Sequence, residues 1–116
     1  ESARAGALGF STSRTIFHRS INGEAIPGTY ASAEELTAIA QGAAAGGAAV
    51  IEAISSSSIG DMEFLGGERF KAEDEMALLA KLSRDSGLPV TFTTVQTPDH
   101  PTDYLDVLRF ASEQNR

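Results

Sequence analysis

Three short strings with one pattern divide the chain: AGALGF at residues 5–10, GGAAVI at 46–51 and SGLPVTF at 86–92. In each string a glycine ends a helical pattern and a short apolar run follows. Glycine ends helices well because it adopts the left-handed conformation at little cost. The leading glycines Gly6, Gly46 and Gly87 lie about 40 residues apart. The chain is therefore predicted to repeat one structural unit three times.

The runs after these glycines, residues 8–13, 48–55 and 88–96, are rich in apolar and β-branched residues. They do not alternate cleanly between polar and apolar, which is typical of strands covered on both faces. We predict a strand in each run.

Three stretches between and after these strands have helical periodicity. Ser32 and Glu35 fit a capping box at the start of the first, the second covers about residues 72–85, and the third follows Pro101. The apolar faces predicted to be buried are Leu36, Ile39, Ala40 and Ala43 in the first helix, Met76, Leu79 and Leu82 in the second, and Tyr104, Val107, Leu108 and Ala111 in the third.

Alternation of strands and helices predicts an α/β fold with a parallel sheet. The long loops 14–31 and 56–71 both follow strands, at the sheet end where α/β proteins bind ligands. Two architectures fit: a small open sheet complete in itself, or three consecutive units of a (β/α)8 TIM barrel of about 250 residues. We favour the barrel, with residues 1–116 as a single partial segment, because residues 1–6 read as the last turn of a helix. The open sheet edges of such a segment predict a homo-oligomer.

Composition excludes several classes of function. The net charge of −7 argues against nucleic acid and anionic lipid as partners. There is no cysteine and there are only two histidines, His18 and His100, so a metal site built by this chain alone is not expected. No apolar run reaches the length of a membrane span and no signal peptide is visible, so we expect a cytoplasmic protein.

Polar side chains cluster where the first predicted strand ends. Ser11, Thr12, Ser13 and Arg14 could form a hydroxyl-rich rim with a guanidinium that clamps a carboxylate or phosphate. The same hydroxyls could instead satisfy loop backbone groups.

The middle strand contains a carboxylate, Glu52, between apolar neighbours. A carboxylate there is costly unless it is paired, ligated or at the solvent end of the strand. A functional role and a structural salt bridge both remain open for Glu52. Near the end of the third strand, Thr94 and Gln96 are candidates for ligand contact.

Several motifs together resemble a known family. They are GALGFSTSRT at 6–15, HR at 18–19, GE at 23–24, PGT at 27–29, EEL at 34–36, GG at 46–47 and GLPV at 87–90. This set resembles the N-acyl-D-amino-acid deacylase (D-aminoacylase-like) branch of the amidohydrolase superfamily. The resemblance implies a metal-dependent barrel in which zinc or another divalent metal activates water to hydrolyse a non-peptide C–N (amide) bond.

The same resemblance implies roles for individual residues in metal and substrate binding. Glu52 and Thr94 stand where the family has two histidine ligands, so Glu52 is a candidate oxygen ligand and Thr94 marks a lost ligand. Ser11, Ser13 and Arg14, with His18 and Gln96, are expected to bind the substrate, a small N-acyl amino acid or similar amide.

The family's other ligands and its catalytic aspartate lie outside the matched stretch, so no catalytic residue is assigned. We expect the metal in the parent protein, and we expect this chain alone to hold none and to be inactive. The alternative from another class is a non-catalytic α/β module that works by self-association.

Overall fold

The computed structural model describes residues 1–15, 17–55, 71–96, 98 and 101–115. Strands and helices alternate along them. They are β1 (Gly9–Ser13), α1 (Ala33–Ala45), β2 (Val50–Ile54), α2 (Ala72–Ser86), β3 (Val90–Thr93) and α3 (Asp103–Gln114). No helix among these residues has the length and hydropathy of a membrane span.

The three strands form one parallel sheet in the order β1-β2-β3, the same as their order in the chain. The register aligns Ser11 with Glu52 and Glu52 with Thr91. The predicted α/β class with a parallel sheet is therefore confirmed.

All three helices cover the same face of the sheet. α2 packs against both α1 and α3, and one core joins the buried β2 residues Ile51 and Ala53 to apolar side chains of every helix. No described element covers the opposite face, which we call the open face.

The predicted apolar faces of the helices are buried in part. The core contains Leu36 and Ala40 of α1, the predicted apolar face of α2 (Met76, Leu79 and Leu82) and Val107 of α3. Ile39 and Leu108 were predicted to be buried, yet they are 44% and 46% exposed. The reason is their position: α1 and α3 are the outer helices of the row, and among the described helices only α2 has a neighbour on each side.

Two boundary predictions need correction. The strands are shorter than the apolar runs, and β3 ends at Thr93, so Thr94 and Gln96 follow the strand. Gly6 and Gly87 have the expected positive φ, but in the second string the left-handed residue is Gly47 (φ 94°), not Gly46 (φ −87°). Most of the predicted loop 56–71 lies outside the described residues.

The start of α1 follows its sequence signal. The Ser32 hydroxyl accepts a hydrogen bond from the Glu35 backbone N–H at 3.2 Å, as half of the predicted capping box. At this helix end the backbone N–H of Glu34, and then the Ser32 hydroxyl, lower the pKa of the Glu34 carboxyl.

Gly9 sets how closely β1 approaches β2. A Cβ at this position would lie 1.9 Å from the carbonyl oxygen of Val50, a backbone atom that cannot move without disturbing the strand pairing. The absence of a side chain at Gly9 is therefore a packing requirement of the sheet.

We predict that Gly9→Ala lowers the free energy of unfolding by about 3 kcal/mol, because the new methyl group forces the paired strands apart. Gly42→Ala is the matched control: it lies inside α1, and beyond its chain neighbours and the nearby backbone of that helix no atom lies within 4 Å of the added Cβ. It should stabilise the protein by about 0.5–1 kcal/mol through helix propensity. Urea denaturation of both variants measures the two effects, and equal destabilisation by both would contradict the argument.

Candidate functional site

The open face is the polar side of the sheet. Side chains alternate along a strand, and Ile51 and Ala53 point into the core, so their neighbours point to the open face. The register brings together five oxygen-bearing side chains and three other residues there, namely Ser11, Ser13, Glu52, Thr91 and Thr93 with Gly9, Val50 and Ile54.

Glu52 is the central residue of this face. It is half-buried, and Ser11 and Thr91 stand beside it in the same row of the sheet. Among the described residues it has no hydrogen-bond or ion-pair partner. The structural salt bridge that the sequence left open is thus not formed there, and the carboxylate can take a ligand from the open face.

A cavity of about 300 Å³ lies at the outer edge of β1, beside α1. Its polar lining includes three of the predicted substrate-binding residues, Ser11, Ser13 and His18. Its apolar wall includes Leu36 and Ile39 of α1. The structure therefore brings these three predicted residues to one place.

Arg14 lies elsewhere, buried inside the protein with 5% of its surface exposed. Its Nε donates to both carboxylate oxygens of Glu75, at 3.1 and 3.2 Å, and its Nη1 donates to the carbonyl of Ala31 at 2.8 Å. Its backbone N–H donates to the carbonyl of Ile54 at 2.9 Å. The guanidinium does clamp a carboxylate, as its residue type suggested, but that carboxylate belongs to the same chain.

Glu75 was not among the residues predicted from the sequence. It is only 2% exposed. The overlooked signal is its spacing, because Glu75 occupies the same face of α2 as the core residues Leu79 and Leu82. A carboxylate on the apolar stripe of a helix indicates a buried cationic partner.

The remaining predicted residues are not gathered at the cavity. Gln96 is exposed and donates from Nε2 to the carbonyl of Pro101 at 3.0 Å. Thr94 is half-buried, and its hydroxyl oxygen is buried with no hydrogen-bond partner in the described part of the chain. His100 lies outside the described residues.

The described residues do not hold a complete metal site. No three His, Asp or Glu side chains within them come together as a potential metal-binding group. On the open face, Glu52 supplies the only carboxylate in the described strands. A hydrolytic zinc site, which uses three protein ligands, does not fit these residues by themselves.

Comparisons with protein-family models, curated proteins and solved structures find no match to this chain.

Two Glu-to-Gln variants distinguish the buried structural carboxylate of Glu75 from the Glu52 carboxylate, which can take a ligand. Glu75→Gln should lower the free energy of unfolding by about 3 kcal/mol, because it removes the buried carboxylate whose two oxygens accept from Arg14 Nε. Glu52→Gln should change it by less than about 0.5 kcal/mol, because no described partner is lost. Urea denaturation at neutral pH measures both variants.

A control for ion pairing in general is Asp106→Asn. Asp106 forms an exposed pair with Arg109 at 2.9 Å, and such pairs contribute about 0–1 kcal/mol. Should Glu52→Gln cost as much as Glu75→Gln, Glu52 would have a stabilising partner and its assignment to the site would fail.

Proposed function

We propose that this chain is a three-unit segment of a cytoplasmic amidohydrolase-type (β/α)8 barrel that is N-acyl-D-amino-acid deacylase-like. The whole protein would hydrolyse a non-peptide C–N bond of a small amide. The observation that carries the proposal is the sheet: its strands follow chain order, its helices cover one face, and its other face holds Glu52 among hydroxyls. Helices on one face favour a barrel, because a doubly wound sheet has helices on both faces.

In a closed barrel the open face becomes the interior wall. The carboxyl ends of its strands then face the active site. Glu52 would accept hydrogen bonds or hold a proton there, while the Ser11 and Ser13 hydroxyls would donate to the carbonyl oxygen of the substrate amide. His18, on the loop after β1, would contact the substrate from the same side as these hydroxyls.

In this proposal Arg14 is a positioning residue, whereas the sequence suggested that it binds the substrate. By holding Glu75 and the carbonyl of Ala31, it fixes the end of β1 against the core. It would therefore position Ser13 without touching the substrate.

The metal expected from the family resemblance is assigned to the whole barrel. Glu52 could supply one oxygen ligand, and the further ligands would have to come from other units of the barrel. Thr94, at the position of a lost ligand, has its hydroxyl oxygen buried, so it is not proposed to bind metal.

A second candidate is a non-catalytic α/β module that self-associates. It is favoured by the two outer strands, β1 and β3, each of which has one neighbouring strand in the described sheet. Unpaired strand edges are a common route to association between chains.

We predict that the isolated 116-residue chain hydrolyses no N-acyl-D-amino acid and binds no stoichiometric zinc, because too few ligands are present. Metal analysis of the purified chain and an amide-hydrolysis assay test both points. Stoichiometric zinc together with turnover would show that the segment is a complete enzyme and overturn the prediction.

The reading frame on either side distinguishes the two candidates. A preceding strand with His-x-His and a later strand with an aspartate would support the barrel hydrolase. In-frame start and stop codons at these ends would support the module.

In a longer hydrolase, Glu52→Gln should lower kcat/KM by at least about 100-fold, whereas Glu73→Gln on the exposed side of α2 should leave it unchanged.

A further inference from the structure

We propose that Asn22 is a site of covalent modification, where the side-chain amide deamidates spontaneously through a cyclic imide formed with the backbone nitrogen of Gly23. The reaction consumes only water. It goes beyond the proposed function and does not require hydrolysis of any substrate. Every group that takes part lies in one short hairpin between β1 and α1.

The hairpin holds the two reacting residues in its turn. Arg19 and Ala25 form its antiparallel bridge. The Gly23 N–H donates to the carbonyl of Ser20 at 2.9 Å and closes a four-residue turn. Gly23 has φ 82°, in the left-handed region that favours glycine. The turn therefore requires glycine directly after Asn22.

Both reacting groups are open to water. Asn22 and Gly23 are exposed. Within the described residues Asn22 bonds through its backbone N–H, which donates to the Ser20 hydroxyl at 3.2 Å, and not through its side-chain amide. Beyond the chain neighbours of Gly23, no atom lies within 4 Å of a Cβ added there. Glycine has no side chain to shield its backbone nitrogen, so that nitrogen can reach the neighbouring amide.

The reaction balances without an oxidant or a reductant. The Gly23 nitrogen loses its proton and forms a bond to Cγ of Asn22. The bond between Cγ and Nδ2 breaks, and Nδ2 leaves with that proton as ammonia. Water then opens the five-membered imide ring at either carbonyl. One opening gives aspartate, and the other gives isoaspartate, whose main chain runs through Cβ and Cγ. Both products have one more negative charge than asparagine.

The turn slows this reaction but does not prevent it. The nitrogen that must attack is also the donor that closes the turn, so the turn has to open first. The Ser20 hydroxyl keeps it closed by accepting from the backbone N–H groups of Asn22 and Glu24, at 3.2 and 3.3 Å. These bonds are exposed, and exposed loops open at a much lower free energy than the core. Ser20 is therefore the side chain that restrains the reaction.

The modification changes a loop that contributes to the cavity beside β1. His18 and Ile26 lie directly before and after the bridged residues of the hairpin, and both line the cavity of about 300 Å³. Isoaspartate adds one carbon to the main chain between Ser20 and Glu24. The present turn cannot keep its register with this longer chain, so the hairpin no longer fixes His18 and Ile26 in place.

The experiment is incubation of the full chain at neutral pH and physiological temperature for several weeks, followed by peptide mapping with mass spectrometry. Asn22 should convert to separable isoaspartate and aspartate products, both of which have exchanged an NH2 group for OH. Asn115 is the matched control in the same chain. Arg116 follows it in place of glycine, and its Nδ2 donates to the carbonyl of Ala111 at 3.2 Å. Asn115 should stay intact.

A variant tests the restraint by the turn. Ser20→Ala should speed the conversion of Asn22 about fivefold, because two hydrogen bonds that keep the turn closed are lost. Ser112→Ala, which removes an exposed hydroxyl of α3, should leave the rate unchanged. The unmodified chain in urea gives the rate without any turn, and circular dichroism establishes that both variants are folded.

Four results would overturn the proposal. The first is conversion of the native chain more than about 100-fold slower than in urea, because the turn would then protect Asn22. The others are equal conversion of Asn22 and Asn115, aspartate as the only product, and no acceleration by Ser20→Ala. Each readout follows the chemistry of the chain itself, so these results stand apart from those of the hydrolysis assay.

Discussion

The structure depends on the buried ion pair between Arg14 and Glu75. Arg14 stands where β1 ends, and its hydrogen bonds reach the first turn of α2, the carbonyl of Ala31 just before α1, and the carbonyl of Ile54 at the end of β2. One side chain and its backbone N–H thereby connect the first two units at the carboxyl end of the sheet. A buried pair of this kind adds little net stability over an apolar equivalent, but it strongly disfavours arrangements that separate the charges. Its contribution is therefore to specify how the two units meet.

The two faces of the sheet are chemically distinct. The helix-covered face is mainly apolar, with Thr12 of β1 beside Ala53 and the paired Arg14 and Glu75 at its end. The open face has hydroxyls around the Glu52 carboxylate, which has no partner among the described residues. Stability thus depends on the side chains of the helix-covered face, and ligand chemistry depends on those of the open face. The polar side chains of the open face can therefore change without loss of the core.

The sequence predicted most of the fold and less of the site. Helical periodicity, the glycines and the apolar runs identified every described strand and helix, because these signals are local. The Arg14–Glu75 pair joins residues 61 positions apart, and no local pattern links them. Thr91 was not among the predicted site residues, since its place beside Glu52 depends on a register that only the paired strands define. Ile39 and Leu108 were predicted to be buried because periodicity identifies an apolar face but not whether a neighbour is present to cover it.

The agreement between strand order and chain order has a consequence for how the protein folds. Each unit pairs with the one made just before it, so no strand has to be inserted between two that are already paired. Contacts between neighbours in sequence form faster than contacts that close long loops. A chain emerging from the ribosome can therefore add its units one after another, with the Arg14–Glu75 contact completed once α2 has formed. An interrupted synthesis would leave a shorter sheet with one new open edge, and not a misconnected one.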